Sequence, residues 1–146
     1  MYRNISQARL EGWTLSYQGR LNDWTLSAAL DLLDAENTQT KKDLSRRTKE
    51  RLSLAADYDW GVLRTGAELV AVGRRYDRDD ETRPLGGYTV LNLTSRYVVN
   101  KTLSLDVRVD NLTDKQYSNA MTTSATPVFY NTLGRTLFVG ARLSFR

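Results

Sequence analysis

Few charged residues in this chain are spaced so that they could act as a catalytic pair. Asp106 and Asp110 share one face of a predicted strand, and Arg64 and Glu68 share a face of another. The chain contains neither histidine nor cysteine, so it lacks the commonest general base, the commonest metal ligand and any thiolate. The usual nucleophile–histidine pair of a hydrolase therefore cannot form. Charge pairs on a hydrated strand face explain these four residues, and we predict no catalytic residue, no metal site and no cofactor.

The composition excludes two further classes of function. The chain has 146 residues, of which 40% are hydrophobic and 26% charged, and no segment approaches the ~18 consecutive apolar residues of a transmembrane helix. A mean hydropathy of −0.51 fits a soluble protein or a membrane β-barrel, because barrel strands alternate apolar and polar residues. The net charge is +4, but the basic residues are scattered, so we predict no nucleic-acid partner.

Apolar and polar residues alternate with a period of two along most of the chain, which is the pattern of β-strands. Seven segments show it, each near the ~9–11 residues with which a tilted strand crosses a bilayer. They cover residues 9–17, 24–32, 51–58, 63–71, 91–99, 103–110 and 136–145. Val62, Val70 and Val72 blur the alternation of the fourth segment.

The connections between these segments alternate between short and long. Short turns fall at residues 20–23, 58–60 and 100–101, and long polar connections at 34–47, 76–84 and 111–133. Outer-membrane barrels show this asymmetry, with short periplasmic turns and long extracellular loops. The pattern predicts an all-β fold, namely a porin-like, antiparallel transmembrane β-barrel segment of about seven or eight up-and-down strands.

Aromatic residues gather at the short-turn ends of the predicted strands, as in the girdle that marks a membrane interface. The predicted girdle consists of Tyr17, Trp24, Tyr58, Trp60 and Tyr97, joined by Phe145.

Two alternatives stay open on the residues alone. A soluble ligand-binding β-barrel would have the same period with its faces reversed. A small self-contained outer-membrane barrel with a structural role would need an eighth strand, because seven antiparallel strands cannot close on themselves. Residues 1–5 or 117–123 could supply that strand, or another chain could pair with the sheet.

The C-terminal run from Gly140 to Phe145 resembles the insertion signal of bacterial outer-membrane proteins. In that signal a glycine precedes alternating hydrophobic residues, here Leu143 and Phe145, and one residue, Arg146, follows. A final strand with unpaired N–H and C=O groups suits an assembly machinery that works by strand addition. The resemblance implies that the partners include the lipid bilayer and this machinery, and that the location is the bacterial outer membrane.

Residues 109–117, Val-Asp-Asn-Leu-Thr-Asp-Lys-Gln-Tyr, resemble the Asn-Leu-Phe-Asp-x-x-Tyr signature of TonB-dependent receptors, with Thr113 in place of phenylalanine. Residues 8–12, 73–77 and 85–88 resemble other runs of that family. The resemblance implies transport powered by TonB. Family barrels have about 22 strands and an N-terminal plug. The resemblance therefore implies that residues 1–146 are C-terminal barrel strands and that the plug is absent from them. TonB would be contacted only through that missing plug.

Within the family, the resemblance is greatest to the vitamin B12 (cobalamin) transporters, through residues 33–37, 45–49, 57–61 and 130–135. It implies that Arg46 and Tyr130 face an external ligand cavity, and that the ligand of the full-length parent is cobalamin or a similarly scarce compound. A guanidinium and a phenol suit a large ligand bearing amides and phosphate.

Overall fold

The computed structural model describes residues 8–78, 81, 83–121 and 128–145. No helix among these residues is long and apolar enough to cross a membrane. Seven of the strands have eight or more residues: β1 (Ala8–Leu21), β2 (Trp24–Asn37), β4 (Glu50–Asp59), β5 (Leu63–Val72), β8 (Tyr88–Val98), β9 (Leu103–Asp110) and β12 (Thr136–Leu143). Five are short: β3 (Lys42–Asp43), β6 (Arg75–Tyr76), β7 (Pro84–Leu85), β10 (Ser118–Met121) and β11 (Phe129–Asn131).

The seven long strands form one continuous antiparallel sheet, which we call the wall. Its strand order is β1-β2-β4-β5-β8-β9-β12, so each long strand pairs with the next one in the chain. This up-and-down order confirms the predicted all-β antiparallel architecture. In the part of the chain that is described, no ladder joins β1 to β12, so the wall is open along both outer edges.

The register of the ladders places the predicted apolar residues on a single face. Leu30 lies between Leu15 and Leu52, and Leu93 lies opposite Val109. Because a slip of one residue would turn every side chain of a strand to the other face, the registers of the six ladders together confirm the predicted facing of all seven strands. Two of the valines that interrupt the alternation of the fourth segment, Val70 and Val72, lie on the polar face, as the ladder with β8 shows.

Several strand ends differ from their predicted positions, at both ends of the sheet. The polar segment was predicted to begin at residue 34, but β2 continues to Asn37 because Glu36 and Asn37 pair with the start of β1. Strand β8 begins at Tyr88 rather than at 91. At the other end of the sheet, β12 stops at Leu143, so Phe145 lies beyond the ladder.

Residues 118–121 do not supply the eighth wall strand that a self-contained barrel would need. Residues 118–121 form β10, which pairs with β11 in a separate hairpin and not with the wall. Tertiary contacts to the neighbouring connection, described below, hold this segment there. The other expected source, residues 1–5, lies outside the described residues, as do residues 122–123 and Arg146.

Three tight turns join wall strands at one end of the sheet. Asn22 adopts a left-handed backbone conformation (φ 52°) in the two-residue turn between β1 and β2. Gly61 (φ 89°) does so between β4 and β5, where its N–H donates to Asp59 Oδ1 at 2.9 Å. Asn100 Oδ1 accepts from the N–H groups of Thr102 and Leu103 before β9. Asparagine, aspartate and glycine are the residues that such turns favour.

Aromatic rings meet at the same end of the wall. Trp24 and Tyr58 lie 4.8 Å apart between ring centroids, and Tyr58 and Trp60 lie 4.4 Å apart. Tyr17 stands four residues before the end of β1, but its ring covers Gly19 and thus extends toward the turn. Tyr97 lies opposite Leu63 at the start of β5. That these residues mark a membrane interface stays a prediction.

The buried residues are concentrated at the opposite end of the sheet. They belong to the long connections or to adjacent strand ends, and they are Ala35, Leu44, Val70, Arg75, Asp77, Leu85, Val90, Asn111 and Met121. The apolar face of the wall, by contrast, is open, as at Trp13, which is 82% exposed. The wall therefore has an apolar surface without a protein core beneath it.

Candidate functional site: a cap of three long connections

We give the name cap to the described residues of the connections 38–49, 73–87 and 111–135, together with Tyr88 at the start of β8. They contain the five short strands and lie at the end of the wall where Arg46 and Tyr130 were predicted to face ligand. The three connections are joined to one another by polar and aromatic contacts, and these contacts determine which side chains remain accessible.

An ion pair joins the first connection to the second. Arg46 Nε donates to Asp77 Oδ1 at 3.0 Å, and the Arg46 backbone N–H donates to the carbonyl of Tyr76. The Asp77 side chain is only 1% exposed, whereas that of Arg46 is 60% exposed. Arg46 has a left-handed backbone (φ 58°) at this point. The structure thus gives Arg46 a tethering contact that the sequence did not predict, while most of its guanidinium stays open to solvent.

A second set of contacts supports the same junction. The Asp43 N–H in β3 donates to Glu81 Oε1 at 2.9 Å, and Lys49 Nζ lies 2.9 Å from Asp43 Oδ1. The hydrogen bond to Asp43 raises the pKa of Lys49 above its ordinary value. Two acidic side chains, Asp77 and Glu81, therefore connect the second connection to the first.

Arg75 joins the second connection to the third. Its Nη2 donates to the Ser118 carbonyl at 3.0 Å and to Asn119 Oδ1 at 3.1 Å, both in β10. Its guanidinium lies 5.7 Å from the centroid of the Tyr88 ring, and Tyr88 stacks on Tyr117 at 3.8 Å. A guanidinium on an aromatic face is held by cation–π attraction as well as by its hydrogen bonds.

The Asn-Leu-Thr-Asp run acts as a folded junction where β9 ends. The buried Asn111 side chain donates to the Lys115 carbonyl and accepts from the Lys115 N–H, each at 2.9 Å. Asn111 and Asp114 both have left-handed backbones, and Asp114 Oδ1 accepts from the Arg135 N–H at 2.8 Å. This run therefore closes the third connection at both of its ends.

Tyr130 lies in β11, opposite Ala120, and is 60% exposed. Its neighbours Phe129 and Leu133 are also exposed, so this hairpin presents apolar and aromatic side chains. Arg46 and Tyr130 thus belong to the first and third connections at the same end of the wall. Their binding role stays a prediction.

The polar face of the wall carries charge pairs, as expected of a hydrated surface. Asp106 bonds to Arg96 at 2.6 Å, and Asp110 bonds to Arg108 at the same distance. Each carboxylate of the only two-carboxylate candidate for catalysis is thus paired with an arginine. Glu68 accepts from the Asn92 amide at 3.0 Å. Among the described residues no group of three or more acidic side chains could hold a metal ion.

The predicted insertion signal lies along an open edge of the wall. Gly140 pairs with Asp106 of β9 and Leu143 with Leu103, while the other edge of β12 is unpaired in the described part of the chain. Phe145 is strongly exposed beyond the end of this strand.

The sequence reasoning did not identify the cluster of Arg75, Tyr88 and Tyr117. Its signal was present, because Arg75 and Tyr88 lie within the runs 73–77 and 85–88 that carry the family resemblance. Those runs gave no indication that the residues would meet, since Tyr88 and Tyr117 are 29 positions apart and Arg75 bonds to residues 43 and 44 positions away.

An antiparallel wall with one exposed apolar face, one charged face and alternating turn lengths is a segment of a transmembrane β-barrel. Comparison with known proteins agrees with this class. The profile of the family described as "TonB dependent receptor-like, beta-barrel" matches residues 1–112. The chain therefore belongs to the TonB-dependent receptor family, through its β-barrel.

Solved structures show the same fold at low sequence identity. The siderophore receptor PiuA from Acinetobacter baumannii has 23% identity and a TM-score of 0.79, over 93% of this chain and 22% of the receptor. The ferric yersiniabactin uptake receptor FyuA from Yersinia pestis has 20% identity and a TM-score of 0.85, over 95% and 24%. The copper transporter OprC has 23% identity and a TM-score of 0.82, over 94% and 24%. The chain thus spans less than a quarter of the length of each.

Family membership bears on three of the predictions. TonB-dependent receptors are transporters of the bacterial outer membrane, so the predicted location and the prediction that the chain is not an enzyme are confirmed. The alternative of a soluble ligand-binding barrel is excluded for the same reason. Transport is a property of the TonB-dependent receptor family as a whole. A cobalamin ligand is a more specific hypothesis, which family membership does not decide.

Proposed function

We propose that this chain is the C-terminal barrel segment of an outer-membrane receptor that takes up a scarce ligand in a TonB-dependent manner. The supporting observation is the wall, in which seven strands keep one apolar face while a folded cap covers one end. In this proposal the apolar face contacts lipid, the short turns are periplasmic and the cap is extracellular. The plug, and with it the contact to TonB, belongs to a part of the receptor outside this chain.

Assembly into the membrane depends on the open edge of β12 in this proposal. The outer-membrane assembly machinery pairs with the strand that carries Gly140 and Leu143, and Phe145 follows at the periplasmic end. The alternative of a self-contained eight-stranded barrel has less support, because the described wall is open and β10 lies in the cap. Seven strands are about a third of the ~22 in a complete receptor barrel.

Cobalamin is the proposed ligand, with Arg46 and Tyr130 as cap residues that contact it. The short sequence segments that resemble those of cobalamin transporters support this ligand. Both side chains are exposed and can therefore contact a ligand. Metal chelates are the second candidate class, because structural neighbours are described as siderophore receptors and a copper transporter. In either case the ligand is cargo, and the reaction is binding and gated passage.

The coding sequence upstream of Met1 gives the first test. We expect an in-frame plug and a signal peptide there, and a promoter immediately before Met1 would contradict the segment proposal. The second test is uptake of radiolabelled cyanocobalamin, and separately of a ferric siderophore, by cells that express the complete reading frame. Uptake that persists in TonB-deficient cells would contradict the proposed mechanism. Uptake of the siderophore alone would replace cobalamin by the second candidate.

A further inference from the structure

Within the part of the chain that the structure describes, Arg75 is a buried cation whose hydrogen bonds are incomplete. The residue is 8% exposed, and its two bonds from Nη2 go to neutral oxygens. Its Nη1 atom is buried and has no hydrogen-bond partner within the described residues. A guanidinium has five N–H donors, and a buried charge without a counter-charge is costly. The site therefore favours a further oxygen acceptor.

Arg75 borders a groove of about 400 Å³ on the polar side of the wall. A second guanidinium, that of the exposed Arg51 at the start of β4, borders the same groove. One carboxylate, that of Asp31, also lines it and accepts from Thr14 Oγ1 at 2.8 Å. Among the described residues, the charged groups that line the groove are two cations and one anion, so their net charge is positive.

The aromatic stack keeps Arg75 in place at the groove. Tyr88 lies against the guanidinium and is itself fixed by Tyr117, and Tyr88 also lines the groove. Ordering an arginine in advance reduces the conformational entropy that binding must overcome. The volume lies at the small end of the range of about 300–1,000 Å³ for ligand pockets, so the groove suits one substituent of a large ligand.

We propose that this groove binds an anionic oxygen group, a carboxylate or a phosphate, of the transported ligand, with Arg75 and Arg51 as the donors. The proposal rests on the proposed function, because it treats the polar side of the cap end as the ligand side. It adds a subsite distinct from Arg46 and Tyr130, which lie elsewhere in the cap.

The test is calorimetric titration of the full chain, refolded in detergent micelles, with citrate and with inorganic phosphate. Circular dichroism and heat-modifiable migration first establish that the protein is folded. We expect saturable binding of at least one of the two anions. Substitution Arg51→Gln should weaken it at least about tenfold, because a charge-assisted donor is lost and tenfold corresponds to about 1.4 kcal/mol. Arg51 is exposed, so its replacement leaves the buried contacts of the cap in place.

Arg75→Gln should weaken binding at least as much as Arg51→Gln, and Arg108→Gln is the matched control. Arg108 lies on the same face but is paired with Asp110 and does not line the groove. Absence of saturable binding by the folded wild-type chain would overturn the proposal, and so would equal weakening by Arg108→Gln. Binding of a triglutamate peptide without binding of either small anion would identify a protein-docking groove and also overturn it. Because no transport is measured, these outcomes are independent of the uptake tests.

Discussion

The wall and the cap are specified by different kinds of contact. In the wall, backbone ladders fix the strands, and the large apolar side chains of one face remain exposed. In the cap, strands are two to four residues long. Side chains such as Arg75 and Asp77 make the contacts between connections, and Asn111 makes contacts within the third connection. Backbone pairing is thus sufficient to define the wall, whereas the cap depends on individual buried polar groups.

The difference follows from the solvent that each region meets. A strand within lipid must satisfy its backbone groups inside the sheet, and its apolar side chains need no protein core. The cap faces water, so it must bury its own small core around residues such as Leu85 and Met121. We therefore expect substitutions in the wall to depend on the face they occupy, and substitutions in the cap to depend on burial.

The largest effect should come from a charge on the apolar face of the wall. Leu54 lies near the middle of β4, opposite Ala28 and Leu69. Leu54→Arg should destabilise the chain by about 2–4 kcal/mol, the cost of an arginine at the bilayer midplane. Denaturant titration of the chain refolded in lipid vesicles measures this cost. Ser27→Arg is the control on the polar face of the adjacent strand, and an equal loss there would contradict the assignment of faces.

Asparagine side chains stabilise both ends of the sheet, which permits a direct comparison. Asn111 in the cap is buried, and Asn100 in a short turn is exposed, although each bonds to two backbone groups. Asn111→Ala should lower the free energy of unfolding by about 1–3 kcal/mol, because the N–H and carbonyl groups of Lys115 lose their buried partner. Asn100→Ala should cost less, because water can replace the lost acceptor. Hydrogen exchange at the amides of Lys115 and Leu103 measures the two changes, and a larger change at Leu103 would contradict the comparison.

The ion pair between the first two connections should contribute less. Arg46→Gln is expected to lower the stability of the cap by about 1 kcal/mol. The effect is moderate because Asp77 is buried but Arg46 is largely exposed to solvent. Limited proteolysis of the connection 38–49 measures the change, and Arg47→Gln is the control at the neighbouring exposed position. High salt should reduce the difference between wild type and Arg46→Gln. Cleavage at the same rate in all three proteins would show that the pair does not hold the cap.

The smallest effect should be the dependence of the cap on Lys49 at alkaline pH. The pKa of Lys49 is raised by its hydrogen bond to Asp43, so the stability it contributes is complete below the ordinary lysine value of 10.5. It is lost as the pH rises through the raised value. Asp43→Asn should return the Lys49 titration toward its ordinary midpoint, as followed by NMR at the Lys49 Cε. An unchanged midpoint would show that Asp43 is not the cause.

Several features of the wall could be predicted from sequence because they depend on local periodicity. Alternation at residues such as Leu52 and Leu54 gave the face, and polar turn residues such as Asn22 and Asn100 gave the short connections. The exact ends of β2 and β8 could not be predicted, because they depend on which partner residues continue each ladder. The same is true of β10, which pairs with β11 in the cap and not with a wall strand.

The amino-acid sequence by itself determined the antiparallel wall, the two faces of its strands, the sidedness of its connections and the family resemblance. All of these follow from a period of two and from short motifs, which are properties of neighbouring residues. Only the tertiary structure decided that Arg46 holds Asp77 and that Arg75 reaches Asn119, across 31 and 44 positions of the chain. Such contacts depend on where the folded strands bring distant connections together. The local sequence pattern does not show which distant residues will meet. The Arg75 Nη1 atom, which has no hydrogen-bond partner among the described residues and which underlies the proposed anion subsite, likewise depends on this tertiary arrangement.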